Sequence, residues 1–177
     1  DPTLVGRVLC VQGLWSLVEA PDGSVVRCAT RRILKTLATD ERHVVVAGDR
    51  VLFRREGAEQ GLIESVEPRV GVLSRTSRGR QHMLVTNVEQ LVIVSSAAQP
   101  DLKPHLIDRL LVCAEQAEID AIICINKVDL IEPADLQPLV GVYSQLGYSV
   151  LLVSAARGWG IARLQARLRG RASAVAG

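Results

Sequence analysis

The sequence is poor in aromatic residues, cysteine and histidine, which often carry chemistry. Aromatic residues make up 3% of its 177 residues, and there are four cysteines and three histidines. No two cysteines form a C-x-x-C pair, and the histidines lie far apart, so we predict no metal site in this sequence. The cysteines, which are Cys10, Cys28, Cys113 and Cys124, are predicted to be buried, reduced thiols.

Long hydrophobic runs are also missing. No apolar run reaches the roughly 18–20 residues that a membrane helix needs. The sequence shows no signal-peptide pattern and begins at Asp1 without Met, which predicts that at least one end is trimmed. We therefore expect a cytoplasmic protein with no membrane association.

Neither sign of charge is in large excess, because the net charge is +2. Its distribution is less even: residues 1–83 carry a net charge of +3 and residues 84–177 carry −1. Four arginines and no acid lie between Arg69 and Arg80. This run favours a partner that carries phosphate, with a solvated linker as the equally open alternative.

The first half has the short apolar stretches and turn residues of a β protein. Pro21-Asp22-Gly23-Ser24 is turn chemistry between two such stretches. Five or so strands within about 70 residues favour a small closed barrel, OB-type first and SH3-like second. The predicted strands are Leu4–Val11, Trp15–Ala20, Val25–Thr30, Val44–Val46, Val51–Arg54 and Gly61–Val66, with a short helical turn at Arg31–Leu37.

The second half alternates between continuous apolar runs and helical spacing, which is typical of a parallel α/β sheet. We predict an all-β OB-type domain over residues 1–75, a basic linker over 76–86 and an α/β domain over 87–177. The predicted strands are Gln90–Ser95, Ala121–Ile125, Ser149–Val153 and Ala172–Ala176. One predicted helix has Pro104 in its first turn, and two others cover Pro133–Leu146 and Ile161–Leu168.

Polar residues follow two of the predicted parallel strands. Asn126-Lys127-Val128-Asp129 comes directly after one strand, and Ser154-Ala155 comes directly after the next. Ligands bind at the carboxyl ends of such strands, so these two loops are placed to hold one base. The alternative is that an N-K-x-D tetrapeptide is an ordinary polar turn.

The chemistry of these residues fits guanine. The Asp129 carboxylate offers only acceptors, and guanine presents two adjacent donors, its N1–H and its exocyclic amine. Asn126 has a donor and an acceptor, for the purine edge and for tying the two loops together. Lys127 is expected to lay its stem across the base with its charge in water. The backbone amide of Ala155 is expected to donate to the guanine carbonyl.

A phosphate-binding loop of the form G-x-x-x-x-G-K-[ST] does not occur in the sequence. The small-residue strand Ala172–Ala176 does stop at Gly177, which has the pattern of a strand before such a loop. Gly177 would then be the first glycine of the loop, and a phosphate-binding residue. That order is a circular permutation of the usual GTPase.

With this order the chain resembles the circularly permuted GTPases of the RsgA/YjeQ type, which assist maturation of the small ribosomal subunit. The resemblance covers nearly all of the sequence, from the barrel through the permuted order of motifs. Its motifs are Thr86-Asn87-Val88-Glu89-Gln90-Leu91, Leu106-Ile107-Asp108-Arg109-Leu110, Asn126-Lys127-Val128-Asp129, Ser154-Ala155, Gly158 and Gly160.

The resemblance implies an OB fold, a partial permuted P-loop GTPase domain and slow GTP hydrolysis stimulated by the small subunit. It implies GTP or GDP as ligand, Mg²⁺ in the complete protein, and zinc only in a C-terminal domain that this sequence lacks. Small-subunit ribosomal RNA is the implied partner, and we expect a monomer. We expect a fragment, inactive alone, with no assignable catalytic residue. The implied guanine-binding residues are Asn126, Lys127, Asp129, Ser154 and Ala155.

Arginine is plentiful in the barrel region, whereas the aromatic residues there are only Trp15 and Phe53. Contacts to RNA phosphate and shape are therefore favoured over base stacking. The predicted RNA-binding residues are Arg31, Arg32, Lys35, Arg75, Arg78 and Arg80. Two other functions stay open: a non-catalytic RNA-binding adaptor with a degenerate guanine-nucleotide fold, and an unrelated α/β enzyme with a chance N-K-x-D.

Overall fold

The structure is a computed structural model that describes residues 2–30, 45–77 and 80–177. Within these residues the chain forms two compact units, which divide between Asn87 and Val88. The helical turn predicted at Arg31–Leu37 lies outside the described residues. None of the described helices has the length and apolar character that a membrane span requires.

The first unit contains a closed barrel of strands in the order β1-β2-β3-β5-β4, with β4 pairing back onto β1. The strand pairs are antiparallel except β3 with β5, which is parallel. This arrangement confirms the OB-type barrel. The strands are Leu4–Gln12 (β1), Trp15–Glu19 (β2), Val25–Thr30 (β3), Arg50–Arg55 (β4) and Gln60–Val66 (β5).

Alternate residues of these strands point into the barrel, because side chains of a strand alternate between its two faces. Phe53 is fully buried there, so it cannot stack on an RNA base, and Cys28 is fully buried beside it in the same core. The buried core residues are Val8, Val18, Ala20, Val26, Cys28, Val45, Val51, Phe53 and Ile63.

The strand predicted at Val44–Val46 is wrong for the two residues that the structure describes. Val45 and Val46 are buried but lie outside any strand. The backbone N–H of Val46 donates to Asp49 Oδ2 at 2.8 Å, and the Asp49 N–H donates to the Val46 carbonyl at 3.1 Å. A tight turn uses the groups that a strand ladder would need.

Asp49 is the centre of a buried polar network in this unit, although its carboxylate is fully inaccessible to solvent. Arg69 donates to both oxygens, each at 2.8 Å, and the Thr86 hydroxyl donates to Oδ1 at 2.6 Å. With the Val46 N–H, the carboxylate therefore accepts four hydrogen bonds. Two carboxylate oxygens have about four acceptor sites, so its capacity is filled.

The segment after the barrel forms a β-hairpin. Strands Leu73–Ser77 (β6) and Arg80–Val85 (β7) pair in antiparallel register. Much of the predicted linker over residues 76–86 is thus regular structure. The unit ends at Asn87, whose carbonyl accepts a hydrogen bond from Arg7 at 2.9 Å.

The second unit is a parallel sheet with the strand order β10-β9-β8-β11. This confirms the predicted α/β domain. The strands are Gln90–Ser96 (β8), Asp120–Asn126 (β9), Ser149–Leu152 (β10) and Ser173–Ala176 (β11). The helices are Pro104–Gln116 (α1), Gln137–Gln145 (α2) and Ile161–Leu168 (α3), with 3₁₀ turns at Val128–Leu130 and Pro133–Leu136.

The helix predicted over Pro133–Leu146 is divided, because Pro138 occupies the first turn of α2 and a 3₁₀ turn precedes it. Proline is tolerated there since a first-turn N–H has no intrahelical partner. Tyr143 of α2 donates its hydroxyl to Asp108 of α1 at 2.8 Å. Burial and this bond raise the pKa of Tyr143 to about 12.

The sheet places its functional edge at the carboxyl ends of its strands. Strand β8 has β9 on one side and β11 on the other, because the chain runs from β8 through β9 to β10 and then returns to place β11 on the far side of β8. Such a switch point opens a crevice at the carboxyl edge, where α/β proteins bind ligands. The residues that follow β8, β9, β10 and β11 are therefore the candidates for a site.

Candidate functional site

Asn126 ends β9 and joins two loops through one atom. Its side-chain Oδ1 accepts the backbone N–H of Lys127 at 2.8 Å and that of Ala155 at 3.0 Å. The expectation that Asn126 ties the two loops together is thus confirmed. We expected the Ala155 N–H to donate to the guanine carbonyl. In the structure this N–H is already used in the bond to Asn126. The side-chain amide nitrogen of Asn126 remains as a donor beside it.

Lys127 adopts the left-handed backbone conformation, with φ of 63°. We expected its charge to lie in water, but its ammonium group donates to the backbone carbonyl of Gln99. Gln99 follows β8, and the N–H of Ala97 in the same loop donates to the Asn126 carbonyl at 2.8 Å. A third loop therefore meets the two that the sequence indicated.

Asp129 lies in the 3₁₀ turn after Lys127, and its side chain is half-buried. Within the described residues its carboxylate has no hydrogen-bond or salt-bridge partner. The neighbouring Val128 is buried, and its N–H donates to the Val153 carbonyl at 3.3 Å, which anchors the turn to the next strand. A carboxylate held on an anchored turn with its acceptors unused is suited to receive two donors of a ligand.

Ser154 and Ala155 begin a compact loop after β10. Ser154 is fully buried, and its hydroxyl oxygen accepts the N–H of Arg157 at 3.1 Å. Its own N–H donates to the Trp159 carbonyl at 3.0 Å, which closes the loop. The Ser154 side chain thus shapes the loop, while Ala155 is exposed at its surface.

Gly160 completes this loop because no larger residue fits. Its φ is +72°, and a Cβ atom there would lie 2.4 Å from the Leu152 carbonyl oxygen. Both facts require glycine. The position of the loop beside β10 therefore depends on this residue.

Gly177 follows β11 on the other side of the switch point. A Cβ atom on Gly177 would lie 1.8 Å from the Val94 carbonyl oxygen, so its backbone passes directly against β8. A close backbone approach at the carboxyl edge suits the first residue of a phosphate-binding loop. Its role in phosphate binding remains a prediction.

The loop after β8 was missed by the sequence reasoning. Ala97 and Gln99 both contact the N-K-x-D segment, through an N–H and a carbonyl respectively. Backbone groups carry no side-chain signature, so only the position of this loop after a buried strand could have indicated it.

The predicted RNA-binding residues fall mostly where the structure gives little detail. Arg31, Arg32, Lys35 and Arg78 lie outside the described residues. Arg75 is exposed in β6, and Arg80 begins β7. Trp15 is half-buried on β2, with the guanidinium carbon of Arg27 4.6 Å from its ring centre.

The cysteines agree only in part with the prediction. Cys28 and Cys124 are buried, and burial raises the pKa of both thiols, that of Cys28 to about 11. Cys10 and Cys113 are free thiols that are only partly buried. Among the described residues no three His, Cys, Asp or Glu side chains converge as metal ligands.

Comparison with known proteins agrees with this geometry. The model of the family described as RsgA GTPase matches residues 66–177. The chain belongs to the RsgA GTPase family.

Relatives of this family resemble the chain over almost its entire length. It is 38% identical to the small ribosomal subunit biogenesis GTPase RsgA of Dickeya dadantii, covering 97% of this chain and 49% of the relative. It is 37% identical to the protein of that name from Chlorobaculum tepidum, covering 99% of this chain and 60% of the relative. The chain thus spans about half the length of the curated relatives it matches.

Solved structures agree with both units. The crystal structure of YjeQ from Thermotoga maritima matches with a TM-score of 0.80 at 29% identity, covering 99% of this chain and 60% of that one. YloQ, described as a circularly permuted GTPase, matches with a TM-score of 0.75 at 26% identity over 100% of this chain and 60% of that one. Both structures therefore share the fold of this chain over almost all of its length.

Proposed function

We propose that the chain is the RNA-docking and guanine-binding part of a GTPase that acts in biogenesis of the small ribosomal subunit. The observation that carries the proposal is the three-loop edge at Asn126, with the Asp129 carboxylate unused beside it. We propose that the base of GTP or GDP binds at this edge. Ribosomal RNA of the small subunit is the proposed partner.

Each residue of the site has a defined task in this proposal. Asp129 accepts the N1–H and the exocyclic amine of guanine, and Asn126 donates from its free amide nitrogen to the purine edge. The Lys127 stem covers one face of the base while Gln99 holds its ammonium group. Ser154 and Ala155 form the wall that Asn126 fixes in place.

GTP hydrolysis is proposed for the whole protein and not for these 177 residues alone. Gly177 is the proposed first residue of the phosphate-binding loop, and Mg²⁺ would be held mainly by the phosphates, as is usual for nucleotide enzymes. Zinc in a further domain, a monomeric state and a cytoplasmic location remain proposals from the family. The 177 residues alone are expected to release no phosphate from GTP, which a phosphate-release assay would check.

Base recognition is tested by titrating the chain with nucleosides while following the backbone amide signals of Asn126 and Ala155 by NMR. Without phosphate contacts we expect guanosine to bind with roughly millimolar affinity. Inosine lacks the exocyclic amine and should bind several-fold more weakly. Adenosine presents an acceptor to Asp129 and should not bind measurably.

Asp129→Asn gives a sharper test because xanthine has a carbonyl where guanine has its amine. The asparagine amide can accept the N1–H and donate to that carbonyl, so the preference should change from guanosine to xanthosine. Asp135→Asn, an exposed acid in the next 3₁₀ turn, is the matched control and should change nothing. Equal binding of adenosine and guanosine would instead support an unrelated α/β enzyme.

The second candidate, an RNA-binding adaptor without catalysis, is favoured by the abundance of exposed arginine in both units. The two candidates differ in whether the chain binds a guanine nucleoside selectively. Guanosine binding that depends on Asp129 supports the GTPase, whereas RNA binding without any nucleoside preference supports the adaptor.

A further inference from the structure

The second unit separates its charges along the sequence. From residue 88 to residue 135 it contains nine acids and three basic residues. From residue 136 to residue 177 it contains five arginines, no lysine and no acid. The five arginines are Arg157, Arg163, Arg167, Arg169 and Arg171.

The structure places these arginines on and around α3, and all are exposed. Arg163 and Arg167 lie one turn apart on the same side of the helix. Arg157 belongs to the loop just before it, and Arg169 follows its last turn. Within the described part of the chain Arg157, Arg163 and Arg169 form no salt bridge.

Arg171 differs from the others because its charge is compensated. It donates to Asp120 at 2.6 Å and also to the Glu89 carbonyl at 3.3 Å. Together with Arg167 it lines a cavity of about 480 Å³ that also contains Glu115 and Glu118. This cavity lies at the amino ends of β9 and β10, away from the guanine edge. Arg167 shares this cavity and donates to the Ser149 hydroxyl, so we define the α3 arginine surface as Arg157, Arg163 and Arg169.

An exposed aromatic ring accompanies this surface. Trp159 is 54% exposed, although its backbone carbonyl is held by the Ser154 N–H. The ring is carried by a loop that this bond closes, two residues after Arg157 and two residues before the start of α3. Aromatic rings beside basic side chains bind unpaired bases by stacking.

We infer that the α3 arginine surface and Trp159 form a second RNA-binding site, located in the α/β unit rather than in the barrel. The choice of RNA rests on the proposed function. Arginine without lysine favours phosphate, because the planar guanidinium binds phosphate oxygens in a bidentate manner. Trp159 adds a contact to an unpaired base.

A lipid surface does not fit the same helix. An amphipathic helix binds a membrane through its apolar side. Here Ile161, Leu164 and Leu168 pack against the sheet core formed by Val92, Cys124 and Val153. The apolar side of α3 is therefore occupied within the unit, and only its charged side faces outward.

The test compares two double variants of the full chain that remove the same charge. Arg163→Gln/Arg169→Gln alters the surface, and Lys103→Gln/Arg109→Gln removes two exposed basic residues around α1 as the matched control. Binding of a fluorescein-labelled, mixed-sequence single-stranded RNA of about 12 nucleotides, enough for one protein site, is measured between about 50 and 200 mM salt. Thermal unfolding checks that both variants are folded.

We expect the arginine variant to bind roughly tenfold more weakly at the lowest salt, and its logarithmic salt slope to fall by about one. The control should stay within about twofold, since it leaves every residue of the α3 arginine surface in place. Trp159→Ala should weaken binding roughly five- to hundredfold for single-stranded RNA. It should have little effect on a fully paired duplex.

Equal losses in the two double variants would overturn the inference, as would unchanged binding in both. Displacement of the RNA by polyglutamate at equal charge would assign the surface to an acidic protein and also overturn it. A loss seen only with Arg75→Gln would restrict RNA binding to the barrel and leave the proposed function standing. A chain that binds no RNA at all would overturn the RNA part of the proposed function itself.

Discussion

Each unit contains an aspartate that is at least half-buried, and the two carboxylates differ in how many hydrogen bonds they accept. In the barrel unit the Asp49 carboxylate accepts four hydrogen bonds and is fully buried. In the α/β unit Asp129 has no partner within the described residues, yet it sits on a turn that its neighbour Val128 anchors. A carboxylate with its capacity filled stabilises the fold, whereas one with its capacity unused is available for a ligand.

The same contrast extends to the groups around each aspartate. Arg69 and Thr86 come from segments that follow the barrel and are held to it through Asp49. Asn126 also connects segments, but it keeps a side-chain donor that makes no bond within the described residues. Structural polar networks close on themselves, and binding sites stay open at one or two atoms.

The largest effect should come from removing Asp49. Asp49→Ala leaves the Arg69 charge and the Thr86 hydroxyl without their buried acceptor, which costs about 3–5 kcal/mol of unfolding free energy. Asp129→Ala should change the unfolding free energy by less than about 0.5 kcal/mol. Urea unfolding would be followed by Trp15 fluorescence in a Trp159→Phe background for Asp49→Ala, and by Trp159 fluorescence in a Trp15→Phe background for Asp129→Ala. Similar losses for the two variants would break the comparison.

An intermediate effect is expected at Asn126. Asn126→Ala removes the acceptor of two backbone N–H groups, at a cost of about 1–3 kcal/mol for the α/β unit. Hydrogen exchange at the Lys127 and Ala155 amides should accelerate, and guanosine binding should be lost. Asn126→Asp keeps an acceptor oxygen and should preserve the slow exchange at both amides. Unchanged exchange at Ala155 in the alanine variant would show that the loops are held by other contacts.

The smallest effect concerns pH and the core of the barrel. Burial raises the pKa of Cys28 to about 11, above the value of about 9 for an exposed thiol. The unfolded chain therefore loses this proton first, and stability falls as pH rises above 9, by about 1 kcal/mol at pH 10. Urea unfolding at pH 8, 9 and 10 measures this fall. Cys28→Ala should flatten the curve between pH 9 and 10, and an equally steep curve would assign the loss to other groups.

Much of the fold could be predicted because it depends on local patterns. Continuous apolar runs indicated β8, β9 and β10 to within a residue at either end, since buried parallel strands need apolar side chains on both faces. The strands of the barrel were indicated by short apolar stretches with turn residues between them. The strand predicted at Val44–Val46 was wrong because the Asp49 side chain accepts the Val46 N–H. A pattern of apolar residues does not show such a bond.

The site was predictable in its side chains and unpredictable in its backbone. Asn126 and Asp129 were indicated by residue type and by their position after a strand. The bonds from Lys127 to Gln99 and from Ala155 to Asn126 depend on how three loops meet, which no single segment encodes. The hairpin over residues 73–85 was interpreted as partly a linker, because its arginines and small polar residues resemble a solvated connector.

The shared oxygen of Asn126 limits how this edge can evolve. The loop from Ser154 to Gly160 reaches Asn126 through the backbone N–H of Ala155, so the exposed side chain of residue 155 can change while this bond is kept. Its length is not free, since an inserted residue before Ala155 would move the amide away from an atom anchored on another strand. The spacing between β10 and Ala155 should therefore be conserved even where the side chain of residue 155 changes. Insertions in relatives are expected beyond Ala155 and not between β10 and that residue.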